Sequence, residues 1–339
     1  MGITLRDVAR HAGVSIKTVS NVVHDYQFVR PETRQRVQEA IELLGYTPNV
    51  AARNLRSGRT GVIGLAVPEL SFSYFAELAD AVLLAARKRN YVVLVEQTGG
   101  EREAEIALLS GPRVSMLDGI LFSPLGLSSE DGDLLKVDYP LVLLGERVFD
   151  GPTDHVTLQN VEGAVAATRH LLQLGRRRVA VIGAHRDERV GSAALRLEGY
   201  RQALAGAGVA FDEELVVYRE GWHRLDGAAA IEELLSRGIG FDAIFALNDE
   251  LALGALRALH VAGRAVPQEV AVVGFDNLVE GQFALPSLST VDPGRTLIAE
   301  RAVEALIERI NDVDGSIGGP RLIEAPYRLV PRESAATSA

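Results

Sequence analysis

From Gly61 onward, short apolar runs alternate with longer stretches of helical periodicity, and this alternation constrains the fold more than any other feature of the chain. The runs Val62–Val67, Tyr91–Val95, Gly119–Phe122 and Leu141–Leu144 make one set, and Arg178–Ile182, Leu215–Tyr218, Ala243–Leu247 and Val270–Gly274 make a second. Helical stretches such as Tyr74–Arg89, Val161–Leu174, Leu195–Ala207 and Glu250–Val261 lie between them. Strands joined by helix-length crossovers pair in parallel, so the expected fold class is α/β. Two sets of about four strands predict two lobes rather than one very wide sheet. Ligands of such sheets bind beyond the carboxyl ends of the strands, which makes a cleft between the lobes the natural site.

The first 48 residues read differently. Leu5, Val8, Ala9 and Ala12 form one helical stripe, with Thr4 placed to cap it and Asp7 near the positive end of its dipole. The pattern breaks at Gly13, Ser15 offers a second cap, and Val19, Val22 and Val23 resume a stripe. Two short helices around a tight turn make a helix-turn-helix. Pro31 opens a third helix, whose Val37, Ile41 and Leu44 share a face before Gly45 ends it. On the second helix Ile16, Lys17, Ser20 and Asn21 fall off the buried stripe, where a recognition helix would present them to a major groove. Lys pairs with guanine and Asn with adenine, while Ser15, Thr18 and the free N–H groups at the helix start suit a phosphate. The plainer alternative is a three-helix subdomain with an ordinary polar surface.

Charge separates the two parts. The whole chain carries −10, yet the first 60 residues hold nine Lys/Arg against five acids, leaving −14 on the remainder. A basic head on an acidic body points to a polyanion-binding module. Cysteine is absent, which excludes disulfides, thiolate nucleophiles and Cys-ligated metals. No GxGxxG, Walker A, GxSxG or HExxH motif occurs, and the seven histidines are widely spaced. Neither a catalytic constellation nor a metal or cofactor site is therefore expected. The amino terminus lacks an apolar signal-like core, and nowhere do about 18 uncharged apolar residues run together. A cytoplasmic protein without a membrane partner is the expectation.

Several side chains cluster at predicted strand ends. Phe72, Tyr74 and Phe75 follow the first strand, Arg196 lies in the helix after Arg178–Ile182, and Trp222 follows Leu215–Tyr218. Asn248 and Asp276 close the strands Ala243–Leu247 and Val270–Gly274. Aromatic faces with Arg, Asn and Asp can stack on a sugar ring and hydrogen-bond its hydroxyls. Each also has a structural alternative: Asn248 capping the next helix, Asp276 fixing a turn, Trp222 filling core.

The runs Thr4 to Val23 (TLRDVARHAGVSIKTVSNVV) and Val29 to Leu70 resemble the LacI/GalR (lac repressor) family of bacterial transcription regulators. The resemblance extends through nearly the whole chain. It implies a helix-turn-helix domain over residues 1–48, a hinge helix and linker over 49–60, an effector-binding and dimerisation domain of two periplasmic-binding-protein-like lobes over 61–332, and a tail over 333–339. In this family the segment matching Asn49 to Arg56 folds on operator DNA and inserts a leucine into the minor groove. Leu55 holds that position, with Asn49, Ala52, Arg53 and Arg56 beside it. The segment is too short to be a stable helix in water alone, and a plain linker is the alternative. Effector contacts are implied at Arg196, Asn248, Asp276 and, as in some members, Trp222. Around the pocket this sequence departs from the family at Phe72-Ser73-Tyr74-Phe75, Gln159-Asn160 and Gly145-Glu146-Arg147.

The expected function is thus a repressor that binds a pseudo-palindromic operator as a homodimer and responds to a small molecule, a sugar or sugar derivative. The chain ends soon after Pro331 without the apolar heptads that make some relatives tetrameric. A periplasmic-type sugar-binding protein and a sugar-modifying enzyme share the two-lobed scaffold. The helix-turn-helix opposes the first, and the missing catalytic motifs oppose the second. Leu55→Ala should weaken operator binding and reduce DNA bending while leaving the fold intact; unchanged affinity in a gel-shift titration would remove the wedge role.

Overall fold

The computed structural model describes residues 3–23, 26–46, 59–312 and 314–336, which fall into two compact units, 1–60 and 61–339. In the first unit, α1 (Leu5–Ala12), α2 (Ile16–Val23) and α3 (Pro31–Leu44) enclose a small core of Val8, Ala9, Ala12, Val19, Val22, Val37, Ala40 and Tyr46. Local chemistry sets each boundary. The Asp7 N–H donates to Thr4 Oγ1 and the Thr4 N–H to Asp7 Oδ2, a reciprocal cap at the start of α1. Gly13 ends α1 at φ 64, a conformation that other residues adopt reluctantly. The Thr18 N–H donates to Ser15 Oγ at 3.1 Å, capping α2, and Pro31 opens α3.

The second unit holds two six-stranded sheets. The first lobe contains β1 (Val62–Val67), α4 (Ser73–Arg87), β2 (Val92–Gln97), α5 (Arg102–Ser110), β3 (Gly119–Phe122), β4 (Leu141–Leu144) and β5 (Asp154–Leu158). The second contains α6 (Asn160–Gln173), β6 (Val179–Ala184), α7 (Ser192–Gly206), β7 (Val216–Tyr218), α8 (Arg224–Ser236), β8 (Ala243–Ala246), α9 (Asp249–Val261), β9 (Ala271–Phe275), α10 (Val279–Phe283) and β10 (Ser289–Asp292). The chain then returns to the first lobe as α11 (Arg295–Asn311) and β11 (Leu322–Ala325), and ends in the second with β12 (Arg328–Val330). It crosses between lobes after β5, after β10 and after β11.

Strand order is β11-β5-β4-β3-β1-β2 in one sheet and β12-β10-β9-β8-β6-β7 in the other, all parallel except β12 against β10. Helices cover both faces, so β3, β4, β6, β8 and β9 are buried throughout and consist almost entirely of apolar residues. The predicted apolar runs all appear as strands, within a few residues at each end. β5 and β10 do not read as apolar runs, because their polar residues are buried with partners. Residues 333–335 also differ from the expected free tail. Ser334 is fully buried, donates from Oγ to the Val272 carbonyl at 2.6 Å and accepts the Ser289 N–H at 2.8 Å.

The return of the chain to the first lobe depends on Asp154. Its carboxylate, 0 % exposed, accepts Arg309 Nη2 at 2.6 Å and Arg321 Nη2 at 2.7 Å, tying α11 and the approach to β11 to the start of β5. Burial alone would raise its pKa, but hydrogen bonds from the two arginines hold it below the usual aspartate range. Asp154→Ala should lower unfolding free energy by about 3 kcal/mol at neutral pH, toward the lower end for a broken buried pair because both arginines are partly exposed. Since the folded pKa is depressed, the difference should persist above the ordinary aspartate range and shrink as pH falls below it. Denaturant titrations at neutral and acid pH check this; a pH-independent difference would refute it.

Candidate functional site

The carboxyl ends of both sheets open onto one cavity of about 280 Å³ between the lobes. Pro68, Ser123 and the loop Gly145–Arg147 follow β1, β3 and β4 on one side; His185, Trp222 and Asp276 follow β6, β7 and β9 on the other. Phe72, Tyr74 and Phe75, at the start of α4, supply aromatic faces, Phe75 lying edge-on to Tyr74 with ring centroids 5.3 Å apart. Trp222 is held by its indole N–H, which donates to the Gly183 carbonyl at 2.7 Å. Gly183 has φ 96, and a Cβ there would lie 3.2 Å from the indole nitrogen and 2.3 Å from Leu251, so glycine lets the ring approach the strand end.

Arg196 is the organising cation of the wall. It is 3 % exposed, donates from Nε to Asn160 Oδ1 at 2.7 Å and from Nη1 to the Leu247 carbonyl, and lies 3.6 Å from Asp276 Oδ1. Its guanidinium sits 3.7 Å from the centre of the Phe275 ring and 5.4 Å from that of Trp222. Asp276 itself has φ 116 and is buried. Burial, reinforced by the neighbouring carboxylates Glu146 and Glu250, outweighs Arg196 and Arg295 and pushes its pKa up to about 7. Burial likewise raises Asp249, which accepts the Thr290 hydroxyl at 2.6 Å and the Leu278 N–H at 2.8 Å.

Contacts from the two lobes meet around the cavity. The Ser192 hydroxyl of the second lobe donates to Glu146 Oε2 at 2.7 Å, while Glu146 Oε1 accepts the Leu158 N–H. Arg147 donates to Glu188 at 3.2 Å and to the Val190 carbonyl. Glu188 also meets His185 Nδ1 at 2.7 Å and accepts the N–H groups of Ala193 and Ala194 at the start of α7. Burial opposes ionisation of Glu188, but His185, the Ala194 N–H and Arg147 hold its pKa below the usual value. Two further contacts join the lobes: the Ser73 N–H donates to Glu250 at 2.8 Å, and Glu77 accepts both the Val279 N–H and Arg295.

In the separate amino-terminal unit, α2 leaves Ile16 and Lys17 exposed, with Ser20 and Asn21 half-buried beside them. Ser15 and Thr18 share a hydrogen bond of 2.8 Å at the helix start, and Thr4 is exposed at the start of α1. This is a polar, cation-bearing face over an apolar core.

Two family descriptions match the chain: bacterial regulatory proteins of the lacI family over residues 4–49, and a periplasmic binding protein-like domain over 168–335. The HTH-type transcriptional regulator CelR of Thermobifida fusca is 36% identical over 341 residues, covering 98% of each chain. The chain belongs to the LacI family of DNA-binding transcriptional regulators. A structure from Sanguibacter keddieii assigned to the same family superposes with a TM-score of 0.76 at 54% identity, covering 82% of this chain and 99% of that one. A complex of the regulator CelR with cellobiose superposes with a TM-score of 0.72 at 32% identity, covering 98% and 99%.

Within this LacI-family chain, the cavity brings together Phe72, Tyr74, Phe75, Arg196, Trp222 and Asp276. Asn248 stands behind the wall: Oδ1 accepts the Leu251 N–H at 2.8 Å, capping α9, and Nδ2 donates to the Trp222 carbonyl at 3.1 Å. It positions the tryptophan loop and does not line the cavity. Asn49, Ala52, Arg53, Leu55 and Arg56 lie outside the described residues. Sequence reasoning passed over His185, Glu188 and Ser192 as wall residues and treated Glu146 and Arg147 only as departures; the strand-end rule that found Trp222 also points to positions 145–147 and 185. Among the described residues, no group of three or more His, Asp or Glu side chains is arranged to hold a metal ion, and no helix is long and apolar enough to cross a membrane.

The raised Asp276 pKa has a definite consequence for stability. An aspartate protonated in the folded state up to about pH 7, but ionised in the unfolded chain from about pH 4, makes the fold progressively less stable across that interval. Asp276→Asn removes this proton linkage. Relative to wild type the variant should gain roughly 2–4 kcal/mol between pH 4 and pH 8 in urea titrations. A wild-type-to-variant difference that stays constant over the range would contradict the raised pKa.

Proposed function

We propose that this LacI-family regulator is a repressor that binds a pseudo-palindromic operator as a homodimer and is controlled by a carbohydrate in the interlobe cavity. The observation that carries this reading is a cavity walled by polar and aromatic groups from both lobes. A ligand touching both walls binds one lobe arrangement better than another, and that differential affinity is what an allosteric effector requires. Aromatic faces beside Arg196 and Asp276 match the apolar faces and hydroxyl rims of a sugar ring, and the relative CelR has been captured with cellobiose. One helix-turn-helix reads only a half-site, and two-fold symmetry supplies the other. In the head, Lys17 and Asn21 read bases, Ser15 and Thr18 hold phosphate, and Leu55 supplies the minor-groove wedge.

The test uses duplexes selected by the full-length protein from a random pool, with affinity followed by fluorescence anisotropy. Lys17→Ala should weaken binding by about 1–3 kcal/mol without shifting the melting temperature. Trp222 is the sole tryptophan, so its emission reports occupancy of the cavity. Carbohydrates that change the emission should weaken duplex binding by about 5–150-fold. Occupancy without any effect on duplex affinity would defeat the proposed control, and full affinity in Lys17→Ala would remove that residue from the DNA interface.

A further inference from the structure

The cavity wall carries five carboxylates, Glu69, Glu146, Glu188, Glu220 and Asp276, against two guanidiniums, Arg147 and Arg196. Both guanidiniums already serve protein partners. Arg196 binds Asn160 and the Leu247 carbonyl and faces Asp276. Arg147 binds the Leu125 carbonyl at 2.9 Å, the Val190 carbonyl and Glu188. The two wall histidines also face carboxylates: His185 Nδ1 lies 2.7 Å from Glu188, and His223 Nε2 lies 3.4 Å from Glu69. An anion entering here would meet four carboxylates, Glu69 and Glu220 at the more exposed edge and Glu146 and Glu188 in the wall, beside the buried Asp276. Each guanidinium already faces a carboxyl group, Asp276 beside Arg196 and Glu188 beside Arg147, so an entering anion would compete with that group for the same cation.

The wall shows a complementary need for donors. His185 Nε2 is buried without a hydrogen-bond partner. In the neutral tautomer that donates from Nδ1 to Glu188, Nε2 is an acceptor. Glu220 is exposed at the rim and adds acceptor oxygens. A sugar hydroxyl donates to such groups, whereas a phosphate dianion or a carboxylate offers no hydrogen from its charged oxygens. Where the charged group itself meets an acceptor, it loses the hydrogen bond that a hydroxyl in its place would donate.

We propose that the interlobe cavity selects an uncharged carbohydrate and rejects the phosphorylated and uronate forms of the same sugar. This rests on the carbohydrate-effector reading above and assigns the ligand's charge class. The discrimination lies in the acidic, acceptor-rich wall and the prior engagement of Arg147 and Arg196.

The test is calorimetric titration of the full-length protein with matched sets: glucose, glucose 6-phosphate and glucuronate; galactose, galactose 6-phosphate and galacturonate; cellobiose and maltose with their 6-phosphates. The expected result is that every sugar that binds does so at least tenfold more tightly in its neutral form. A charged member binding as tightly as its neutral parent would falsify the proposal. Heat from no member of any set would remove the carbohydrate reading itself, an outcome distinct from binding with the wrong charge preference. Glu220→Lys, a substitution at an exposed rim position, should raise 6-phosphate affinity at least threefold relative to the neutral parent. An unchanged ratio would overturn charge as the basis of selection.

Discussion

The buried guanidinium of Arg196 is the interaction on which the geometry of the cavity depends. A cation that is 3 % exposed persists only where charge and hydrogen-bond partners replace its hydration. Here those partners come from separate elements: Asn160 at the crossing after β5, the Leu247 carbonyl beyond β8, Asp276 beyond β9 and the Phe275 ring beneath. One side chain therefore fixes the relative positions of loops far apart in sequence. Asp276 adopts φ 116, a sparsely populated conformation for a residue with a side chain. Such backbone persists where surrounding contacts over-determine it, and the Asp276 N–H bond to the Val291 carbonyl, the Arg196 pairing and the Arg295 bond to its carbonyl do so here.

The same contacts link the cavity to the interlobe crossings. Asn160 lies just beyond the first crossing and Arg295 just beyond the second. Arg295 reaches the Asp276 carbonyl in one lobe and Glu77 in the other. A ligand that displaces or strengthens any of these wall contacts acts close to the few residues where a hinge motion would be absorbed. The proposed control of DNA binding thus needs no long relay within the body, because side chains at the crossings bond directly to wall residues.

Much of this was legible in the sequence, for identifiable reasons. Strands buried on both faces are nearly pure apolar runs, and the head helices are bounded by residues whose caps are local: Thr4 with Asp7, Ser15 with Thr18, Gly13 and Gly45 at positive φ. β5 and β10 were not legible, because Asp154, Thr157, Ser289 and Thr290 read as polar until their partners Arg309, Glu146, Arg332 and Asp249 are brought near by the fold. The docked segment 333–335 escaped notice for the same reason: small polar residues look like a tail until Ser334 meets Val272 and Ser289. At the cavity, position beyond a strand end points to Trp222 and Asp276, and Arg196 reaches the same wall from the helix after β6. Strand-end position alone does not separate a wall residue from one behind the wall, which is where Asn248 stands.

Net charge acquires meaning only with its local dielectric. The −14 on the body would repel nucleic acid over long range in pure water, but at physiological ionic strength charges beyond about 8 Å are largely screened, so affinity for phosphate is set by the cations nearest the DNA. The +4 of the first 60 residues supplies those cations. Inside the cavity, where water is scarce, the screening argument fails. Glu146 and Glu188, largely withdrawn from solvent in the wall, are screened less than the more exposed Glu69 and Glu220. The same acidic residues therefore weigh differently in the two places: little at a DNA surface beyond the screening length, more in the cavity proposed to hold the effector, because of where the charges stand relative to solvent.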